Sequence, residues 1–115
     1  MLSLFSGSRY FLYQQPCDMR CGIYSLAGLV QNHLQMNPLS GDIFIFIGKR
    51  GNQIRLLQWD TDGYAMYVKR LEQGSFEWPG RGKLQLSAQE LMLILQGIKL
   101  KSVQMRKRYS APSLT

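Results

Sequence analysis

The segment Asp42-Ile-Phe-Ile-Phe-Ile47 constrains this chain more than any other. From Ile43 onward every residue is β-branched or aromatic, and no polar position leaves one face wet. Such a run is a strand covered on both sides. Gly48-Lys-Arg-Gly-Asn52 follows with hairpin chemistry, and Gln53 to Trp59 returns as the partner strand. Asp60-Thr-Asp-Gly63 is a second tight turn, and Tyr64 to Leu71 is a third strand. The pattern predicts an antiparallel meander, with Phe76-Glu-Trp78 as an extension before Pro79.

Helical signals flank this block. Residues 9–15 (RYFLYQQ) read as a short strand closed by Pro16. Asp18 suits a helix N-cap, and Met19, Ile23, Leu26, Ala27, Val30 and Leu34 fall on one helical face. That spacing predicts a helix over residues 19–35, ended by Asn37-Pro38 and Ser40-Gly41. Ser87-Ala-Gln-Glu90 is a capping box, in which hydroxyl and carboxylate satisfy each other's backbone N–H groups. The helix it opens runs to Gln96 and is apolar nearly all round, so it belongs against the sheet. The expected fold class is α+β: an antiparallel sheet of about four or five strands packed by two helices.

At 115 residues the chain has the length of one domain, and its 45% hydrophobic and 18% charged residues are those of a globular protein. The domain is expected over residues 1–98, with a basic flexible tail over 99–115. Fourteen Lys and Arg against seven Asp and Glu leave a formal charge of +7. That balance favours polyanionic partners, nucleic acid first and anionic membrane second. The densest apolar run, Leu91 to Leu95, is far short of the roughly 18 residues of a membrane span. The start MLSLFSGSRYFLY lacks the basic opening and unbroken apolar stretch of an export signal. A cytoplasmic protein is therefore expected, with Cys17 and Cys21 as free thiols. Their C-x3-C spacing, with His33 as the one histidine, does not make a structural zinc site.

Catalytic constellations are missing from the sequence pattern. His33 falls in the last turn of the first predicted helix, where the helix dipole favours it. No Ser or Cys is placed beside it as a nucleophile. Cys21, near a helix start, has no evident base or resolving partner. Among the acids, Asp18 and Glu90 read as caps, Asp42 opens a strand, and Asp60 and Asp62 are turn residues. They do not converge as a two-metal site requires. Gly48–Gly51 and Gly80–Gly82 match neither the P-loop nor the dinucleotide fingerprint. The expectation is a non-enzyme without cofactor or metal.

What remains is surface chemistry. Lys49 and Arg50 occupy a hairpin tip, Arg55 lies on the return strand, and Lys69 and Arg70 end the third strand. Arg81 and Lys83 lie in the loop before the second helix. Tyr10, Tyr13, Trp59, Tyr64, Tyr67 and Trp78 are interspersed among them. Basic loops beside aromatics grip phosphates and stack bases, although strand ends also carry charge simply to discourage edge pairing. Residues 99–115 add Lys99, Lys101, Arg106, Lys107 and Arg108 with no acid, which suits either a solubilising tail or a nucleic-acid contact. Arg20 breaks a local rule, since a cation in a first helical turn opposes the dipole. Function explains it as well as a bond to Asp18 or to a carbonyl across the fold does.

The ordered motifs add up to a likeness. Tyr13, then C-D-M-R-C-G (17–22), S-G-D-I-F-I-F (40–46), I-R-L-L-Q-W-D-T-D-G-Y (54–64), K-R-L-E-Q-G-S-F-E-W-P (69–79) and L-M-L-I-L-Q-G-I (91–98) occur in register. Over residues 4–98 the chain resembles the TnpB, or Orf2-like, accessory proteins of the IS 66 group of bacterial insertion sequences. The resemblance implies a mobile-element protein that assists transposition beside a separate, larger transposase and a companion accessory protein, with no catalytic residues to carry over. Arg20, Lys49, Arg50, Arg55, Lys69 and Arg70 stand at matching positions as a phosphate- or partner-binding surface. Two roles are expected of such a chain: contact with element or target DNA, or docking on the transposase as a protein adaptor. Neither involves a membrane.

Overall fold

The computed structural model describes residues 7–79 and 82–97. The strands are β1 (Tyr10–Leu12), β2 (Ile43–Ile47), β3 (Gln53–Asp60), β4 (Gly63–Arg70) and β5 (Gln85–Leu86); the helices are α1 (Ile23–Asn32) and α2 (Ala88–Gln96). One sheet of order β4-β3-β2-β1-β5 separates the two helices. The expected α+β fold is present, with the meander confined to β2, β3 and β4. The pair β1 and β2 is parallel, Tyr10 facing Ile43 and Leu12 facing Ile45. The physical reason is α1: a helix between two neighbouring strands returns the chain to its starting end, as a two-residue hairpin does not.

The central run behaves as its composition requires. All five residues of β2 are buried. Ile43, Ile45 and Ile47 pack with Leu12, Ile54, Leu56, Leu86 and the α2 residues Leu91 and Ile94. Phe44 and Phe46 project to the opposite face, against Phe11, Tyr13, Leu57 and the α1 residues Leu26, Ala27 and Val30. Strand alternation thus builds two cores from one strand, each large buried side chain worth roughly 1.5–3 kcal/mol. At the start of β2, buried Asp42 accepts from Arg9 Nε at 3.1 Å and Nη2 at 2.8 Å, and from the Ser40 hydroxyl at 2.9 Å.

Both helices obey local chemistry, but α1 is shorter than its periodicity predicts. It starts at Ile23, with Gly22 as N-cap, rather than at Met19. Asp18 is not its cap: its carboxylate accepts the Arg20 backbone N–H at 2.9 Å, and its carbonyl accepts from Cys21 at 3.1 Å. This Asx turn competes with helix for the same groups. Residues 17–22 are also held elsewhere, because Cys17 bridges to Gly48 beside β2. At the other end Gln35 takes a left-handed φ of 55°, and Met36 N–H returns to the Val30 carbonyl, two residues before Pro38. His33 is the C-cap, its N–H bonded to the Leu29 carbonyl. The α2 capping box forms as expected, with Ser87 and Glu90 exchanging bonds of 3.0 and 3.1 Å and left-handed Gly97 closing the helix.

Two edge details depart from expectation. Residues 76–78 form no strand; Phe76 instead buries its ring in the α2-side core and donates its N–H to the Gly51 carbonyl. The fifth strand is β5, which pairs antiparallel with β1 through Tyr10–Leu86 and Phe11–Gln85. The first strand ends at Leu12, although Tyr13 and Cys17 still donate to Ile45 and Ile47 around a Gln14–Pro16 excursion. The expected basic tail lies outside the described residues.

Candidate functional site

The parallel β1–α1–β2 unit brings the 17–20 turn beside the β2–β3 hairpin at one end of the sheet. There a concavity of about 380 Å3 is lined by Asp18, Arg20, Lys49, Arg50, Gln53 and Arg70, among others. Four cations thus face one carboxylate. The β2–β3 hairpin is braced from behind. Leu71 donates to the Asn52 carbonyl at 2.7 Å and Phe76 to that of Gly51, also at 2.7 Å, which fixes Lys49 and Arg50 on a supported tip.

Asp18 and Arg20 form an ion pair at the rim. Arg20 Nη2 lies 2.7 Å from Asp18 Oδ2, and Arg20 Nε reaches both carboxylate oxygens at 3.1 Å. The Arg20 side chain nevertheless remains 92% exposed, so its guanidinium is oriented and still open to a ligand. Hydrogen bonds from the Arg20 side chain and backbone hold the Asp18 carboxyl well below the usual carboxylate range, and nearby Lys49 adds to this. Of the two open readings of Arg20, the bond to Asp18 is present, and α1 starts after it, so no dipole is opposed.

The remaining sequence candidates separate. Arg55 points beneath the 17–22 connection, where Nη1 donates to the Cys21 carbonyl at 2.6 Å and Nη2 donates to the Met19 carbonyl. Among the described residues its buried Nε has no hydrogen-bond partner. Arg55 therefore positions one wall of the cleft from below. Lys69 lies on the opposite face of the sheet, its Nζ 2.8 Å from the Leu95 carbonyl at the electronegative end of α2. Lys83 is far from both, paired with Glu90 at 2.7 Å. Arg81, Arg106, Lys107 and Arg108 lie outside the described residues. Sequence reasoning missed Asn52 and Gln53 as lining residues, and it read Asp18 as a cap. The Asp-x-Arg spacing was the signal for the latter, since an Asx turn presents residue i+2 to the carboxylate.

An aromatic row lies on the α1 face of the sheet, with Trp59 and Tyr64 at the β3–β4 turn end of the strands, away from the cleft. The Trp59 and Tyr64 rings meet edge-on at 5.1 Å, and Tyr64 meets Tyr24 at 6.1 Å. Tyr24 is 83% exposed. Burial pushes the Cys17 thiol up, with the neighbouring Cys21 adding to the effect, and both cysteines are free. Among the described residues no three His, Cys, Asp or Glu side chains gather to hold a metal, and no helix is long and apolar enough to cross a membrane.

Comparison with known proteins decides the family. The family described as IS66 Orf2 like protein matches residues 8–105. The chain belongs to this family. The match runs beyond residue 98 and takes in the first basic residues of the C-terminal stretch, Lys99 and Lys101. Two similar relatives come from Sinorhizobium fredii (strain NBRC 101917 / NGR234). Uncharacterized protein y4hO is 39% identical over 100 residues, covering 85% of this chain and 87% of its own. Uncharacterized protein y4jC is 36% identical over 100 residues, covering 85% and 86%. No solved structure matches the chain. Membership ties this IS66 Orf2-like protein to insertion sequences and to a family not known for enzymatic activity.

Proposed function

We propose that this IS66 Orf2-like protein is a non-catalytic accessory factor of transposition that contacts element or target DNA through the cationic cleft. One observation carries the reading: the fold gathers Arg20, Lys49, Arg50 and Arg70 from three separate chain segments around a single concavity. Clustered guanidinium and ammonium groups on rigid turns suit phosphate oxygens, and Asn52 and Gln53 add amide groups for further polar contacts. The aromatic row farther along the same face of the sheet offers additional contact with bases or sugars. The cytoplasm, where the element's DNA and transposase meet, is the compartment this role requires.

The test is fluorescence anisotropy on the element's terminal inverted-repeat duplex and on a scrambled duplex, across a salt series. DNA contact through the cleft predicts that each of Arg20→Ala, Lys49→Ala, Arg50→Ala and Arg70→Ala lowers the log–log salt slope by about one. Lys83→Ala, away from the cleft, leaves it unchanged. Added magnesium or manganese yields no strand cleavage. Absence of any binding would overturn the reading.

Exposed Tyr24 and half-exposed Val68 favour a second role, an adaptor that docks on the element's transposase or companion accessory protein without touching DNA. Co-purification with the transposase, lost on Tyr24→Ala and unaffected by Lys49→Ala, distinguishes it.

A further inference from the structure

The two edges of the sheet are unequal. On one side β5 presents two residues; on the other β4 presents eight, from Gly63 to Arg70. The phase of the ladder shows which groups face outward. Leu71 bonds to Asn52, and Lys69, Tyr67, Ala65 and Gly63 stand opposite Ile54, Leu56, Gln58 and Asp60. With antiparallel alternation, these odd-numbered residues turn their N–H and C=O groups toward β3, while Tyr64, Met66, Val68 and Arg70 turn theirs away from the sheet. Nothing among the described residues pairs with that outer row.

Proteins usually blunt a long edge with charge, proline or a bulge. Between Tyr64 and Val68 this edge carries none of them. Its side chains are instead half-buried and mostly apolar: Tyr64, Met66 and Val68 toward α1, Ala65 and Tyr67 toward α2. Charge is confined to the ends, with Asp60 and Asp62 at the start and Lys69 and Arg70 at the finish. Lys69 is turned back onto α2, which leaves Arg70 as the outward cation.

We propose that a second copy of this chain pairs antiparallel along β4, centred on Met66, so that the two sheets become continuous across a two-fold axis. In that register Tyr64 faces Val68 of the second copy, and Asp62 faces its Arg70. A parallel copy would set Arg70 against Arg70, so charge complementarity selects the antiparallel arrangement. An isologous strand pair repeats each contact twice, which doubles the effect of each substitution.

Sedimentation velocity from about 1 to 100 μM tests the proposal, on the full chain. A species of twice the 13.2 kDa chain mass is expected. Asp62→Arg sets like charges opposite each other twice and raises the dissociation constant by about tenfold or more; Asp62→Arg with Arg70→Asp restores it. Val68→Pro removes an outward N–H at an edge position that tolerates proline, and gives monomer. In hydrogen exchange, the Tyr64, Met66 and Val68 amides gain protection as concentration rises. Should Val68→Pro fail to fold, Asp62→Arg and its rescue by Arg70→Asp, at two exposed positions, still decide. A monomer throughout the range overturns the proposal, as does a dimer indifferent to Asp62→Arg alone. A monomer whose β4 edge amides are protected also overturns it, because the chain itself then covers the edge.

Discussion

Nη1 of Arg55, on the second strand of the meander, donates to the carbonyl of Cys21 at 2.6 Å, across 34 positions of sequence. With the parallel bond from Nη2 to Met19, it fastens the connection before α1 onto the sheet and so fixes the wall that carries Asp18 and Arg20. Bonds from a charged donor are worth about 1.5–3 kcal/mol, offset here by the cost of the unpartnered Nε. Arg55→Met, which keeps the stem and removes every donor, is expected to lower stability by about 2 kcal/mol in urea denaturation. Amide exchange at residues 18–22 should speed up more than exchange in α2. Uniform acceleration would show that Arg55 adds stability without positioning the cleft.

The same wall depends on a residue that has no side chain. A Cβ built on Gly48 would lie 2.7 Å from Met19 Cγ, near the root of that side chain, where little can give. Gly48→Ala is expected to cost about 1–3 kcal/mol through overpacking, and to reduce cleft-dependent binding. Met19→Ala removes the obstructing atom. The double variant should therefore be more stable than the sum of the single effects by about 1 kcal/mol, as read in a double-mutant cycle. Strict additivity would mean that the Gly48 backbone, rather than Met19, resists the substitution.

Much of this architecture was legible in advance, and the failures share one cause. The β2 run, both hairpin turns and the α2 capping box are local: composition and spacing within a few residues decide them. The start of α1 is not. Met19 continues the helical stripe in sequence, yet Cys17 pairs with Gly48 and Arg55 takes the Met19 and Cys21 carbonyls, so contacts from more than 30 positions away override periodicity. Cleft membership was hidden for the same reason. Lys69 and Arg70 are neighbours in sequence, but strand alternation sends one to α2 and the other to the cleft.

Thr61 sits at the tip of the β3–β4 hairpin with φ 58°, a conformation that crowds a β-branched side chain. The Asp62 N–H bonds back to the Asp60 carbonyl, closing a tight three-residue turn around it. Asparagine tolerates left-handed backbone far better. Thr61→Asn is expected to raise stability by about 1 kcal/mol, with a higher thermal midpoint and unchanged binding. A drop in stability would mean that the Thr61 hydroxyl, 3.4 Å from Asp60 Oδ1, contributes more than the backbone strain removes.

The two cysteines should differ in reactivity. Cys17 is buried, and burial raises its thiol above the ordinary range, which lowers the thiolate fraction at neutral pH. Cys21 is only partly buried. Mass spectrometry after timed iodoacetamide exposure is expected to find Cys21 alkylated first and Cys17 only on the time scale of local opening. Raising the pH from 7 to 9 should accelerate Cys17 less than an unburied thiol. Equal rates would mean that the 17–22 connection opens faster than alkylation.

Asp18 sets how much of the positive charge in the cleft is free. Because Arg20 stabilises its ionised form, the folded chain binds a proton there less readily than the unfolded chain. The linkage therefore runs one way. The associated stability is complete above the unfolded aspartate value near 3.9, and it fades as pH falls through the lower folded value. In a carboxyl NMR titration, Asp18 should protonate below the ordinary aspartate range, and Arg20→Ala should return it toward that range. Between pH 5 and 8 the carboxylate stays ionised, so its brake on anion binding is constant. Asp18→Asn releases the brake: one negative charge leaves the cleft and the Arg20 guanidinium loses its bidentate partner. Binding to duplex DNA should tighten, with a log–log salt slope steeper by about one. A slope unchanged by Asp18→Asn and by Arg20→Ala alike would remove Arg20 from the DNA-contacting surface and leave Lys49, Arg50 and Arg70 to account for it.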